Sequence, residues 1–406
     1  MSDTQEIREQ DIQHLSFFKP LMKVLDRLHD CGTERDRAGN RELHFDQYCC
    51  LVLLYLFNPI VSSLRAIQQA SELKKVQRIL KCKRASLGSL SESVAVFDPG
   101  LLQEIVQELY QQLAPVENDA AVSKAIKQLV TLVDGTRIEA MARVTQAMWL
   151  SKNGDEHHSW HLHTQFELSK YVPTQMTLTV GSSAGDASER EVLKANLAPD
   201  RCYVGDRGYA NFLLFNKINS IDSSYVVRVR DNSVYEVLED RLLSDEACQA
   251  NVIGDYIVKM GEGSKKQNRP NHPIRMILIK VKPHDKRSNR KGNTGAGPSD
   301  GVLRVVTNLL DVPAEIIGLL YEYRYAIELY FRFFKHILGC RHLLSEKPEG
   351  IAIQTYMAII ACMLISLYTG RKPTLRTYEM ICYYLTGMAD LDEFEAHLKK
   401  LKPHNA

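Results

Sequence analysis

Four residues in the stretch DVPAEIIGLLYEYRYAIELYFRFFKHILG, Asp311 to Gly339, have types and spacing that suit chemistry on a shared surface. Tyr321, Arg324, Glu328 and Lys335 stand at offsets 0, 3, 7 and 14. At roughly 100° per residue a helix gathers them within an arc of about 60°. The row runs about 21 Å at a rise of about 1.5 Å per residue, the length of several nucleotides of DNA backbone. One carboxylate inside a basic and phenolic row is a poor way to bind an anion. It makes sense if the glutamate holds a metal ion while its neighbours hold phosphates. Taken alone, the same spacing also fits an ordinary solvated face with Arg324 and Glu328 as an i,i+4 pair worth a few tenths of a kcal/mol, at roughly even weight.

The element that must position this row is a helix. Pro313 suits a first turn, Glu315 favours the positive end of the dipole and Gly339 closes the run, which predicts one helix of about two dozen residues. Its opposite arc is apolar: Ile316, Leu319, Leu320, Tyr323, Ala326, Ile327, Tyr330, Phe334 and Ile337. Such a helix packs on a core and shows a narrow charged stripe.

Two earlier carboxylates end apolar runs. LVTLVDGTRIEA reads as a buried strand ending on Asp134-Gly135. A carboxylate there is costly unless it is paired or coordinates a cation. CYVGDRGYANF is a second short strand ending on Asp206, followed by Gly208 and a new helix. Two strands ending in aspartate and a later glutamate on a helix can bring three carboxylates together. Arg207, next to Asp206, either neutralises crowded carboxylates, touches DNA or forms a structural ion pair.

Further strands are expected at His161 to Leu168, Met176 to Val180 and Tyr225 to Val229, with a helix around Glu189 to Asn196. The next segment, about 85 residues long, is β-rich, with VYEVL, ANVIGDYIVKM, IRMILIKVK and VLRVVTNLL. It contains the loop KPHDKRSNRKGNTGAGPSD, whose composition predicts flexibility. Lys282, Lys286, Arg287, Arg290 and Lys291 make that loop a basic patch suited to phosphates, or merely solubilising charge. The histidines of HHSWHLH form a rival site. A zinc ion there would use His157, His158, His161 and His163, but no cysteine is near. A strand explains the pattern better, with His161, His163, Gln165 and Glu167 on one face and Trp160, Leu162, Thr164 and Phe166 on the other.

At 406 residues the chain can bury a large core and form two or three domains. A net charge of +2 argues for no nucleic-acid partner by itself, so the case rests on local clusters. Nine cysteines without a C-x-x-C fit neither a disulfide framework nor a zinc ribbon, and suit a reducing cytosol. The charged start MSDTQEIREQ is no secretory signal. The apolar runs Tyr48 to Phe57 and Ile351 to Tyr368 fall short of the about 20 apolar residues of a bilayer span, and predict buried helices with no membrane partner.

Residues 1 to about 120 read as helical, punctuated at Cys31 to Asn40, Asn58-Pro59 and Ser86 to Ser91, with a last helix from Leu101 to Leu113 after Asp98-Pro99. SSLRAIQQASELKKVQRILKCKRAS suggests two short helices, the first opened by Ser62 or Ser63. Between Arg65 and Arg84 stand Arg65, Lys74, Lys75, Arg78, Lys81, Lys83 and Arg84 against Glu72 alone. That excess fits a helical DNA-binding head or a solvated face. Beyond Gly339 the chain is expected to be helical, at Ile351 to Tyr368, Thr374 to Leu385 and Asp392 to Leu401, completing the core or pairing with a second subunit.

With these residues in place the chain resembles bacterial insertion-sequence transposases of the DDE type, in the branch marked by a Y-x2-R-x3-E-x6-K signature around its last acid. Tyr321, Arg324, Glu328 and Lys335 meet that signature at every position. The family's first acid lies on a strand before glycine, as Asp134-Gly135 does, and its second in D-R-G-Y, as at Asp206 to Tyr209. KRASLGSLSES and FDP in the N-terminal part also look like this family's, so the resemblance covers nearly the whole chain. It implies an α/β fold: a ribonuclease-H-like catalytic domain at 121–345 with a β-rich insertion at 225–310, a helical DNA-binding domain at 1–120 and a helical C-terminal region at 346–406. The implied activity is binding of terminal inverted repeats, cleavage at the element's ends and joining of the 3′ hydroxyls to target DNA, by a homodimer in the bacterial cytoplasm. Relatives that pass through a DNA hairpin use a tryptophan of the insertion to hold a flipped base. No Trp lies between Asp206 and Glu328, so Tyr235 or Tyr256 would have to stack instead.

In-line phosphodiester cleavage needs an activated water and a stabilised leaving oxygen, which two Mg²⁺ ions supply, with Mn²⁺ as a substitute. Asp134, Asp206 and Glu328 are the expected oxygen ligands, Asp134 bridging. Arg324, Lys335 and Tyr321 would grip phosphates beside the scissile bond. A DNA-binding protein derived from a transposase, or a metal-dependent nuclease of the same fold, are the alternatives.

Overall fold

The computed structural model describes residues 19–400, apart from 32–35, 37–38, 40, 117–118, 141–147, 153–154, 181–187, 264, 266–267, 282–300, 339–342 and 346. The chain opens with helices α1 (Lys19–Leu25), α2 (Phe45–Phe57), α3 (Leu64–Glu72), α4 (Lys74–Leu80), α5 (Leu87–Val96), α6 (Gly100–Gln112) and α7 (Ala120–Ala125). The α2 run FDQYCCLVLLYLF is buried almost throughout, and a capping box between His44 and Gln47 fixes its start. Ser63 caps α3. Ser86, expected as punctuation, instead opens α5: its hydroxyl accepts the Ser89 N–H at 3.0 Å, so the serine-rich text begins a helix rather than interrupting one.

Next come β1 (Leu129–Ala140), β2 (Met148–Lys152), β3 (Asp155–Glu167), β4 (Val172–Val180), α8 (Glu189–Ala195), β5 (Arg201–Gly205), a 3-10 turn (Arg207–Tyr209), α9 (Phe212–Asn219) and β6 (Ser224–Arg228). The β-rich segment supplies β7 (Tyr235–Asp240), α10 (Asp245–Gln249), β8 (Val252–Met260), β9 (Ile274–Lys280) and β10 (Val302–Thr307). Then follow α11 (Ala314–Tyr323), α12 (Tyr325–Leu338), α13 (Pro348–Thr369), α14 (Leu375–Leu385) and α15 (Leu391–Lys400).

Among the described residues, all ten strands belong to one mixed sheet of order β2-β3-β1-β5-β6-β10-β9-β8-β7, with β4 paired to β3. The pairs β1–β5 and β5–β6 are parallel. β3 is antiparallel to β1 and β4, and β10 is antiparallel to β6. The β-rich segment therefore extends the sheet.

Alternation along each strand sorts the core into two layers. Leu132, Cys202, Val204, Val226, Ile277 and Val305 join a large cluster that runs through α2, α6, α11, α12 and α13 to Phe394 of α15. Val133, Tyr203, Tyr225, Val227, Met276 and Val306 join a second cluster under α8 and α9. A sheet covered on both faces explains why its central strands read as near-continuous apolar runs. Helix α13 is long and apolar enough to cross a membrane, but 78% of its most apolar window is buried inside the fold. It packs against α2, α5, α6, α12 and β4. Pro348 starts it, and Gly370, at φ +62°, ends it in the left-handed region that a side chain would resist. The C-terminal helices complete this core: the Tyr378 hydroxyl donates to the Leu56 carbonyl at 2.5 Å.

Two further expectations need correction. The stretch from Asp311 to Gly339 is not one helix: it breaks at Arg324, between α11 and α12, where the Ile327 N–H reaches back three residues to the Arg324 carbonyl. Nor does the first strand end at Asp134. β1 runs six residues further because the long β3 pairs with it as far as Ala140↔His158. What ends at that level is its other neighbour, β5.

Candidate active site

The parallel register of β1 and β5 closes on Val133↔Gly205, so Asp134 and Asp206 are the next residues on adjacent strands. Each carboxylate is tied to its own backbone. Asp134 Oδ1 accepts the Gly135 N–H at 2.8 Å, and Asp206 Oδ1 accepts the Gly208 N–H at 2.7 Å, opening the 3-10 turn. Asp134 shares the parity of Leu132, so it projects to the face covered by α11 and α12. α12 packs on β1, and α11 packs on β5 and β6.

From the break between those helices Arg324 reaches down. Its Nη2 donates to Glu328 Oε1 at 2.6 Å and its Nη1 lies 3.7 Å from Asp134 Oδ2. The Arg324 Nε is buried without a hydrogen-bond partner. The Tyr321 ring lies under the guanidinium, 5.9 Å from its carbon, and burial raises the Tyr321 hydroxyl above its ordinary range. Lys335 is half-buried further along α12. The structure thus sets Asp134 beside Asp206 and links Glu328 to Asp134 through one guanidinium. The three carboxylates do not form a set of ligand atoms within 4.8 Å of one another. Like charges left without a cation would repel, and Arg324 takes up the space between two of them.

A fourth carboxylate, Glu189 at the start of α8, reaches the same strand ends from the opposite face. A Cβ on Gly135 would lie 2.6 Å from Glu189 Oε1 and 2.4 Å from His161 Nε2. One on Gly208 would lie 3.2 Å from Glu189 Oε2 and 2.8 Å from Asp206 Oδ1. The glycines after the two aspartates therefore leave room for this side chain. Glu189 pairs with His161 at 3.2 Å, and that hydrogen bond holds its carboxyl below the usual range against the effect of burial. Sequence reasoning placed a helix here but not this role. The signal available was a glycine close behind each aspartate.

Burial pushes the Asp134 carboxyl up to about 7; Asp206 and Glu189 push the same way, while the Gly135 N–H and Arg324 pull it back. A carboxyl whose folded value lies above its ordinary 3.8 binds its proton more tightly in the folded state. Its contribution to stability is full below 3.8 and is lost as pH rises through about 7. Chemical denaturation of metal-free protein is expected to show stability falling across that window, and Asp134→Asn is expected to flatten the fall.

The rival histidine site does not assemble among the described residues. The side chains of His157 and His158 lie outside the described set. His161 faces Glu189, and His163 hydrogen-bonds to the Thr179 hydroxyl at 2.8 Å. Burial, with His161 beside it, lowers the His163 imidazole to about 4. Arg207 is exposed and forms no ion pair among the described residues. Lys74 and Arg78 are exposed on α4, with Lys75 half-buried there. Lys81, exposed, follows in the left-handed region at φ 50°. Lys83 and Arg84 are paired with Glu42 at 3.2 Å and Glu72 at 2.9 Å, so part of that basic excess is internally balanced. Lys286, Arg287, Arg290 and Lys291 lie outside the described residues. Tyr235 and Tyr256 both pack against the second core cluster, and Tyr256 folds over Gly254, so neither is a freely presented stacking ring.

Residues 126–364 match the family described as Transposase DDE domain. A candidate transposase of Sinorhizobium fredii, y4zB, is 25% identical over 198 residues, which cover 48% of this chain and 51% of that protein. A Geobacillus stearothermophilus protein assigned as the transposase of insertion sequence element IS5377 is 23% identical over 237 residues, 57% of this chain and 56% of that one. The chain spans little more than half the length of these relatives. A cryo-EM structure of the piggyBac transposase synaptic complex with hairpin DNA superposes over 97% of this chain and 86% of its own, at a TM-score of 0.44 and 11% identity.

Proposed function

The chain belongs to the Transposase DDE domain family, and from that premise we propose that it is a DNA transposase. It binds the terminal inverted repeats of a mobile element, cuts the DNA at the element's ends and transfers the 3′ hydroxyls to target DNA. The observation that carries this reading is the shared end of β1 and β5, which sets Asp134 beside Asp206 under the helix that bears Glu328. The order β4-β3-β1-β5-β6, with β1, β5 and β6 parallel and β3 reversed, supports a ribonuclease-H-like catalytic domain at 121–345. The strands from β7 to β10 form its insertion, between a helical DNA-binding domain and a helical C-terminal region.

The donor set is all oxygen, which fits Mg²⁺ or Mn²⁺ held by Asp134, Asp206 and Glu328. Bound there, the metal supplies an activated water and charge stabilisation at the leaving oxygen. The protein's own part is to hold DNA. Arg324 offers a planar, half-engaged guanidinium to a backbone phosphate, Tyr321 backs it, and Lys335 extends the grip along α12. Exposed Arg207, the α4 lysines and Arg78 add sequence-independent phosphate contacts. A homodimer working on double-stranded DNA in the cytoplasm completes the proposal.

The test is incubation of purified protein with Mg²⁺ and a labelled duplex carrying the element's terminal repeat and flanking DNA. Cleavage at the repeat boundary followed by joining to a second duplex is expected. Cleavage without joining would make the protein a nuclease, and tight binding without any cut would make it a DNA-binding protein.

A further inference from the structure

Glu189 is the carboxylate that the proposed metal site leaves out. It stands at the start of α8, on the face of the sheet opposite to α11 and α12. β5 stops at Gly205, so the two faces meet beside Asp206. One oxygen of Glu189, Oε1, pairs with His161 Nε2 at 3.2 Å. The other turns toward Asp206: Glu189 Oε2 and Asp206 Oδ1 both lie within 3.2 Å of the point where Gly208 would carry a Cβ. Two carboxylate oxygens brought near one point repel unless a cation or its water lies between them. Holding α8 in place does not require this side chain. Arg190 Nε donates to the Gly208 carbonyl at 2.5 Å, and Val192 and Leu193 are buried. The carboxylate is also backed by polar groups that lack partners. Glu189, His163 and Thr164 line a cavity of about 20 Å³, room for one water. His163 and Thr164 are 6% and 3% exposed, and His163 Nδ1 and Thr164 Oγ1 are buried without a hydrogen-bond partner among the described residues. A water in this cavity has three polar walls and fixes Glu189 from behind.

We propose that Glu189 is a fourth carboxylate of the divalent-metal site: its Oε2 accepts from the water shell of an ion held at Asp206, with His161 as its positioning residue. This role presupposes the Mg²⁺ or Mn²⁺ site of the proposed function. Mg²⁺ keeps several of its waters, so a carboxylate too distant to bind it directly still holds it through them. A partner in that outer position adds to the affinity for the ion.

The test is trace Fe²⁺ with ascorbate and peroxide on the full-length protein, where the ion cuts the chain beside its own ligands and mass spectrometry reads the positions. Cuts next to Asp134 and Asp206, suppressed by added Mn²⁺, are expected. The Mn²⁺ concentration that halves them is expected to rise about 10–100-fold in Glu189→Gln and less in His161→Gln. Circular dichroism and thermal unfolding of the metal-free protein check that both variants keep the fold. If Glu189→Gln does not fold, Glu189→Asp, which keeps the charge but is shorter by one methylene, is expected to give a smaller rise. A midpoint unchanged from the parent in the folded Glu189 variant overturns the proposal and leaves Glu189 a structural partner of His161, with the three-carboxylate site intact. Absence of Mn²⁺-suppressed cuts in the unsubstituted chain would instead sink the metal site of the proposed function, and this role with it.

Discussion

Glu328→Gln is expected to reduce strand cleavage about a thousandfold or more while duplex affinity stays within a few-fold. Charge stabilisation by a bound metal is worth several kcal/mol, and at about 1.4 kcal/mol per tenfold the loss of an anionic ligand reaches that size. The substitution keeps shape and volume. It leaves α12 on β1, since the side chain is 41% exposed and the helix is anchored by Ile327, Tyr330 and Phe334 instead. Single-turnover cleavage on a labelled terminal repeat, with a gel-shift measurement beside it, separates chemistry from binding. Asp134→Asn and Asp206→Asn are expected to match it, and their combination to cost little more, because the carboxylates act as a unit. A loss below tenfold in Glu328→Gln would remove that residue from the site.

The second large effect lies away from the reacting groups. Arg275 and Asp255, only 3% and 4% exposed, form a two-pronged ion pair between β9 and β8, Nε to Oδ1 at 2.8 Å and Nη2 to Oδ2 at 2.7 Å. The remaining Arg275 nitrogen donates to the carbonyls of Leu309, Leu310 and Val312 at 3.0, 3.1 and 2.5 Å. Those carbonyls lead straight into α11, so the β-rich segment holds the start of the helix that carries Tyr321. Asp255→Ala strands a buried guanidinium and is expected to cost about 3–5 kcal/mol. Replacing both partners by leucine and methionine is expected to regain most of that stability, since the desolvation cost goes with them. It does not regain the three carbonyl contacts, so cleavage is expected to stay low. Denaturation midpoints and amide exchange in α11 check this. Full recovery of cleavage in the double variant would show that the contacts to 309–312 do not matter.

Much of this was legible in the sequence, for physical reasons that differ by element. β5 ending at Gly205 and the helix bearing Glu328 follow from apolar runs, caps and spacing, which are local. The break at Arg324 is not local: Arg324 keeps right-handed helical angles, and no proline or glycine marks it. It accompanies an arginine drawn toward Asp134, about 190 residues earlier in the chain. The extension of β1 past Asp134 depends on β3, and the reach of Glu189 depends on which face α8 covers. Neither is written in periodicity. Among the described residues of the first hundred the helices are as expected in kind, yet Ser86 opens one where punctuation is expected, because serine punctuates loops and caps helices alike.

The position of Arg324 has a consequence for how the site is loaded. In the folded chain the guanidinium already neutralises part of the negative charge shared by Asp134 and Glu328. On the proposed function, arrival of a divalent ion at these carboxylates would be an exchange of one cation for another rather than the filling of a bare anionic hole. The guanidinium so displaced would need a new anion, and on the same proposal a DNA phosphate is the one at hand. Metal and DNA would each make the other's binding more favourable, so the empty protein would hold its metal weakly and gather it only on the nucleic acid.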